Sequence, residues 1–368
     1  MGISRYLEDL IRGLGKIDNN NQYYLYYQQF SYPGNVKKLI HRDNFHFVKN
    51  SLPGKITRIF EKTLQISAFE YYTIRKAGKL DCLHGPNNYL ITKHTPGVVT
   101  ILDLLPLIKN DWFLPGYAES FKQNISASLK CAQAVITPSH NSKKDLLRFF
   151  DYPEKNIRVI YPGINSDRFQ KPPSPSDIQK MRLKYKLPKD FILFLNTISP
   201  RKNTTRFIEA YSLIAKNFPN ISLVVAGKNG WMYQEVYQKT EELKLKNRVS
   251  FPGLINEEDI PKLYKMAAIF VYPSLYEGFG FPPLEAMAAG IPVICSNTSS
   301  LPEIVEEAGL LFDPLNVDEL ADKMKSLLNQ KDLREKLTLA GFERVKQFSL
   351  TKAAKETLDI YTQIASAV

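Results

Sequence analysis

Residues Ser274–Ile294 read SLYEGFGFPPLEAMAAGIPVI. An apolar run, Ile269–Tyr272, precedes them and predicts a strand. Glu277-Gly278-Phe279-Gly280 then predicts a loop whose two glycines let backbone N–H groups approach a ligand closely. Pro282 and Pro283 suit the first turn of a helix. That helix runs through Glu285 and Met287 and stops at Gly290, and a second strand, Pro292–Cys295, follows. Strand, loop, helix and strand in this order make one unit of a parallel α/β sheet. The helix N-terminus offers unpaired N–H groups and partial positive charge, an anion site by construction. Glu277 and Glu285 add acceptors beside those donors. Donors and acceptors together suit a ligand rich in hydroxyls, such as a sugar or a ribose. The bland alternative is that both glutamates only complement the helix dipole. No His, Cys or further acidic residue accompanies them, so no metal site is expected.

Working outward, the same rhythm continues. Strands are expected at Ile192–Asn196, Ile221–Ala226, Val249–Phe251, Ile269–Tyr272, Pro292–Cys295 and Leu310–Phe312. A helical pattern follows each of the first four, and helices are expected at 317–329, 332–347 and 350–366. Asn256 and Asp259 have the spacing of a capping pair. The first half predicts strands at Tyr23–Phe30, Leu80–His84, Val98–Leu102, Ala134–Thr137 and Arg158–Tyr161, with helices at 117–132 and 140–150. Between the halves, 171–189 contains KPPSPSD and reads as a linker with a short basic helix inside it. The fold class is therefore α/β: two doubly wound parallel-sheet domains facing a cleft, with ligands at the carboxyl ends of the strands. The expected division is 1–170, the linker 171–189, 190–347, and a closing helix in 348–368. The first domain opens on a helix carrying Ile3, Leu7, Leu10, Ile11 and Leu14, with no strand or glycine-rich loop before it. Its sheet is expected to lack the opening strand, or the natural start to be missing.

Composition fits a globular chain of 368 residues with two domains: 44% hydrophobic and 23% charged. No apolar run approaches the roughly 18 residues of a membrane-spanning helix, and no secretory leader opens the chain. Cys82, Cys131 and Cys295 are too widely spaced for a disulfide framework or a zinc pattern. A cytoplasmic protein is expected. The net charge of +12 is uneven. Residues 1–150 hold 20 Lys and Arg against 11 Asp and Glu, and 151–250 hold 18 against 9, each +9; 251–368 hold 11 against 17, giving −6. The basic front half points to an anionic partner. Nucleic acid is not expected, because the cations are scattered and no nucleic-acid module signature is present.

A second constellation is Asn196-Thr-Ile-Ser-Pro-Arg201-Lys202-Asn203, between the first strand of the second domain and a helix. Arg201 offers a fork and Lys202 a point charge, a pair suited to phosphate. A solvated cation pair is the default reading in isolation; the glutamate loop in the same domain reverses it. His84, in LDCLHGPN, and Asp103, in TILDLLP, lie at strand ends. A satisfied structural histidine and a helix cap are the alternatives there. Gly227-Lys228 and Gly253-Leu254 follow strands and are either turn residues or the lining of a nucleotide pocket.

The run Glu277 to Glu285 resembles the E-x7-E signature of retaining family 4 glycosyltransferases with the GT-B fold. ISPRKN, VVAGKNGW, VSFPGLINEEDIPKLYKMA, SSLPEIVEEAGLLFDP and FSLTKAAKETLDIY are similar to the same family, as are LDCLHGPN, AQAVITPSHNSKKDL and VIYPGI. The resemblance implies that the second domain binds a nucleotide-diphosphate sugar. Glu277 and the amides of Gly278, Phe279 and Gly280 would hold the sugar, and Glu285 the ribose. Arg201 and Lys202 would neutralise the leaving diphosphate, with Gly227, Lys228 and Leu254 near the base. It further implies retaining, metal-independent transfer of a hexose, mannosyl-type with GDP, to a glycan or lipid-linked acceptor held by the basic first domain. The final helix would cross back to that domain. Gly2, the remnant of a glycine-rich loop, with His84 and Asp103, are the acceptor-side candidates. An anionic membrane surface is a further expected partner. Relatives carry His-Asp where this chain has Leu102-Asp103, and glycine where it has Asn196. Two other readings stay open: an inactive or shortened sugar-nucleotide-binding protein, and another GT-B enzyme such as a sugar-nucleotide epimerase.

Overall fold

A computed structural model describes residues 2–28, 42–50 and 67–366. The chain divides into two compact units, Met1–Gly163 with Phe348–Val368, and Ile164–Gln347.

In the second unit, alternating apolar segments build a six-stranded parallel sheet, ordered β12-β11-β10-β7-β8-β9. The strands are β7 (Asp190–Leu195), β8 (Ile221–Ala226), β9 (Val249–Gly253), β10 (Ile269–Tyr272), β11 (Val293–Ser296) and β12 (Leu310–Phe312). Continuous burial along β7, β10 and β11 matches a sheet covered on both faces. One face packs Ile192, Phe194, Val225, Ile269, Val271 and Ile294 against the helices Thr204–Ile214 and Val317–Asn329. On the other, Tyr264 of the helix Ile260–Met266 meets Phe270 edge-on, with ring centroids 5.3 Å apart. The strand order runs outward in both directions from the neighbouring pair β7 and β10. In an open α/β sheet that reversal leaves a crevice at the carboxyl ends of the two central strands.

In the first unit, β3 (Leu83–Gly85), β4 (Gly97–Thr100), β5 (Ala132–Thr137) and β6 (Ile157–Val159) form a parallel sheet in the order β3-β4-β5-β6. Its two faces bury separate apolar clusters. Leu83, Val99, Ile125, Val135 and Leu146 lie on one side, and Val98, Ile136, Ile160, Ile360 and Ile364 on the other. The closing helix Leu350–Ala365 thus belongs to this unit, where it packs along the opening helix Gly2–Ile17. Gly13 permits that approach, since a Cβ there would stand 2.5 Å from the Leu350 carbonyl oxygen.

Several expectations are corrected. The segment 171–189 is part of the second unit and not a connector. Its helix Pro175–Tyr185 buries Met181 and Tyr185 and is started by a capping box between Ser174 and Asp177. Asp259 does not cap the following helix with its side chain. Its Oδ2 accepts instead from Lys184 Nζ and the Tyr185 hydroxyl, both at 2.8 Å, which holds the proline-rich segment down. The parallel pair β1 (Tyr23–Gln28) and β2 (Phe45–Asn50) includes a strand, β2, that periodicity did not single out. Phe30, the expected end of β1, lies outside the described residues. Strands expected at Leu80–His84, Val98–Leu102 and Arg158–Tyr161 shift to the bounds above. Partner register fixes them, Leu83 opposite Gly97 and Val135 opposite Ile157. Among the described residues no helix is long and apolar enough to cross a membrane.

Candidate active site

Both central strands of the second unit end in loops that carry charge. After β7 the chain runs to a short turn, Pro200–Lys202, and reverses at Asn203, whose φ of 57° opens the next helix. After β10 it runs through Ser274–Gly280 into the helix Phe281–Ala288. The Leu275 N–H donates to the Arg201 carbonyl at 2.9 Å, so the two loops are stitched together at the crevice. Gly280 leads into the helix with φ 130°, a conformation L side chains rarely adopt.

Arg201, Lys202 and Glu277 converge there. Arg201 Nη1 lies 3.1 Å from Glu277 Oε2 and 3.1 Å from the Tyr276 carbonyl oxygen. Lys202 Nζ bonds Glu277 Oε1 and stands 3.0 Å from the Tyr272 hydroxyl. Lys202 is only 3% exposed and Glu277 8%. Burial alone would raise the Glu277 carboxyl pKa. The charges of Lys202 and Arg201 outweigh that and bring it down to about 2. The carboxylate is thus ionised at neutral pH, between two cations. From behind, the Glu277 N–H donates to Ser299 Oγ at 2.9 Å, and Ser300 Oγ donates to the carbonyls of Glu277 and Phe279. These serines hold Glu277-Gly278-Phe279-Gly280 in place.

Glu285 sits one turn into the helix, 3% exposed, with its Oε2 accepting from the Tyr264 hydroxyl at 3.1 Å. Gly227 follows β8 with φ 139°, and a Cβ on it would fall 1.8 Å from the Asn196 carbonyl oxygen. Its glycine is therefore required by the approach of the β7 and β8 loops to each other. Ile198 N–H to Lys228 O (3.0 Å) and Gly230 N–H to Ile198 O (2.9 Å) continue that contact. Lys228 and Leu254 lie exposed at the ends of neighbouring β8 and β9.

The three acceptor-side candidates all fall in the first unit. His84 is enclosed: Nδ1 is 2.6 Å from the Tyr361 hydroxyl and Nε2 is 2.8 Å from Thr100 Oγ1, which also meets the Tyr6 hydroxyl at 3.0 Å. Burial lowers the His84 pKa to about 3, so the ring is neutral. Both ring nitrogens therefore have hydrogen-bond partners within the first unit. Asp103 accepts from the Leu105 N–H at 3.2 Å, at the start of the short helix Leu105–Ile108. Gly2 is the exposed first residue of the opening helix, with open space around it. Sequence reasoning missed Tyr272, Ser299, Ser300 and Tyr264. None carries a charge, and Tyr272 reads as a core strand residue.

Two family descriptions match in tandem: Glycosyltransferase Family 4 over residues 2–168 and Glycosyl transferases group 1 over 177–344. The O-antigen chain mannosyltransferase B of Escherichia coli is 34% identical over 280 residues, 76% of this chain and 73% of the relative. The chain belongs to the family 4, group 1 glycosyltransferases. This glycosyltransferase is also 29% identical to the serotype-specific mannosyltransferase WbdA of Escherichia coli. That match covers 71% of the chain but 33% of the larger relative. In fold it is similar to Anabaena Alr3699/HepE, solved in complex with UDP and glucose. The TM-score is 0.74 at 19% identity, covering 99% of this chain and 96% of the other, and the two Rossmann-like units are those of the GT-B class.

Proposed function

We propose that this glycosyltransferase moves a hexose, mannose in the first instance, from a nucleoside-diphosphate donor to a hydroxyl of a glycan or lipid-linked acceptor. The transfer keeps the anomeric configuration and needs no metal. The reading rests on the trio at the crevice: one ionised carboxylate, Glu277, held between Arg201 and Lys202. Glu277 accepts from donor-sugar hydroxyls, with the amides of Gly278, Phe279 and Gly280 beside it. Glu285 takes the ribose, and Gly227, Lys228 and Leu254 border the base. The sugar C1 bond to the phosphate oxygen breaks as the acceptor oxygen bonds C1 on the same face. The acceptor proton passes to the departing phosphate oxygen. Arg201 and Lys202 meet the charge that develops there, which is the largest expected catalytic effect. Mannose is favoured by the mannosyltransferases among the relatives, including a GDP-mannose-dependent enzyme of Mycobacterium tuberculosis that is 30% identical over 204 residues.

On the acceptor side, the first unit exposes Leu114 (82%) and Tyr117, and Lys109, Lys122 and Lys130 are exposed in the same stretch of chain. Apolar tips within a basic surface suit an anionic lipid headgroup layer at the inner membrane face. The deciding experiment is incubation with GDP-mannose and chelator, against UDP-, dTDP- and ADP-hexoses, with lipid-linked and soluble glycan acceptors. An α-mannoside formed from GDP-mannose in chelator is expected. An inverted product, hexose transfer that stops without divalent cation, or donor consumption without acceptor would overturn the reading.

A further inference from the structure

Beneath the charged trio lies a hydroxyl that the proposed chemistry leaves without a task. Tyr272, the last residue of β10, is 1% exposed. Its oxygen meets Asn196 Nδ2 at 2.7 Å, Lys202 Nζ at 3.0 Å and Glu277 Oε1 at 2.9 Å. Asn196 Oδ1 accepts from the Thr197 N–H at 2.7 Å, which turns the amide nitrogen toward Tyr272. Amide nitrogen and ammonium can only donate, and carboxylate can only accept. The phenol oxygen therefore accepts from Asn196 and Lys202, and its single proton points at Glu277. Burial and the Glu277 charge raise the phenol's pKa well above its ordinary value, so that proton stays in place.

We propose that Tyr272, anchored by Asn196, is a positioning residue for sugar transfer: its one oxygen bonds both members of the direct Lys202–Glu277 ion pair and offers each a second partner. In a water-poor site an unmediated pair of opposite charges is tightly bound. Lys202 must turn toward the phosphate as negative charge develops, and Glu277 must keep a lone pair for the sugar. The phenol lowers the cost of both movements, since it gives Glu277 a proton and gives Lys202 a second acceptor. Asn196 fixes the phenol by tying the end of β7 to the end of β10. The Tyr272 ring also lies under Lys202 Nζ, 5.3 Å from its centroid. Phenylalanine would keep that contact and remove the hydroxyl alone.

The inference rests on the transferase reading above, and one experiment separates the two. Wild type, Tyr272→Phe, Asn196→Ala, the double variant and Tyr211→Phe are compared by steady-state kinetics with GDP-mannose and by thermal unfolding. Tyr211 is the control, a buried tyrosine of the same unit whose hydroxyl donates to the Ile221 carbonyl at 2.6 Å, away from the site. Tyr272→Phe is expected to lower kcat about 10- to 100-fold, the range set by one hydrogen bond to a charged group, with donor KM changed less than about threefold. Asn196→Ala is expected to lower kcat by less, and the double variant to match Tyr272→Phe, because the two act in series. Tyr211→Phe is expected to lose thermal stability and keep its kcat. If the wild type transfers hexose while Tyr272→Phe keeps kcat within about twofold, the positioning role is refuted and the transferase reading stands. Effects of the two single variants that multiply in the double also refute it. If the wild type transfers no hexose from any donor, the transferase reading fails first.

Discussion

The two units spend their buried polar groups in opposite ways. In the first, His84, Thr100, Tyr6 and Tyr361 hydrogen-bond to one another, and every member is neutral. That network pins the helices Gly2–Ile17 and Leu350–Ala365 to β3 and β4 and leaves no charge to offer. In the second, Arg201 and Lys202 both pair with the buried carboxylate of Glu277. The difference teaches how to tell a structural cluster from a site. A histidine at a strand end is the more suggestive residue on paper, but its nitrogens are both taken. Ionised groups gathered at a crevice are what a ligand can answer.

The sharpest break between the units is kinetic. Lys202→Ala and Glu277→Ala should each lower kcat/KM for sugar transfer by about 10²–10³, the loss seen when one preorganised group is removed from a developing charge. Far-ultraviolet dichroism of both variants should match wild type. Near-normal turnover in either would dissolve the contrast. Next in size is Gly227→Ala. A Cβ at φ 139°, 1.8 Å from the Asn196 carbonyl, forces the β7 and β8 loops apart. We expect a loss of roughly 3 kcal/mol in denaturant unfolding, with a matching loss of turnover because the displaced loop leads to Lys202. His84→Gln should do the reverse: about 1–2 kcal/mol of stability lost with one network bond, and kcat for transfer unchanged. A kcat defect in His84→Gln beyond its stability loss would make the first-unit network part of the reaction.

The contrast also marks how far the sequence could be read. Ser274–Ile294 disclosed its strand, loop and helix because two glycines, two prolines and an apolar face each dictate one local conformation. Arg201, Lys202 and Glu277 were legible as residue types with a chemistry. That they share one crevice is a consequence of strand order, with β10 beside β7 although some 75 residues separate them. Periodicity carries no record of which strands are neighbours. Tyr272 was hidden for a related reason. A tyrosine ending an apolar strand looks like core until the neighbouring loop supplies Asn196. The proline-rich stretch 171–189 misled because turn formers mark an irregular chain, not an unattached one. Lys184 and Tyr185 on Asp259, with Lys262 on Asp177, show that it is held.

The last test takes the same contrast to pH. His84 has a pKa lowered to about 3 in the fold, against about 6.5 unfolded. Between those values the unfolded chain binds a proton that the native first unit refuses, so its stability is full above about pH 6.5 and falls as pH drops toward 3. Glu277 has a pKa lowered to about 2 against about 4.5 unfolded, so its contribution is full above about pH 4.5 and falls only below it. Acidification from pH 6.5 to 4.5 should therefore weaken the His84 network while leaving the Glu277 trio intact. The limiting slope for one proton is about 1.4 kcal/mol per pH unit. Chemical denaturation at intervals across this window should show wild type losing stability and His84→Gln losing about one proton's worth less. Glu277→Gln should track wild type down to pH 4.5 and depart below it. Equal slopes for His84→Gln and wild type would mean that the imidazole titrates normally, and the neutral network would lose its reason for being neutral.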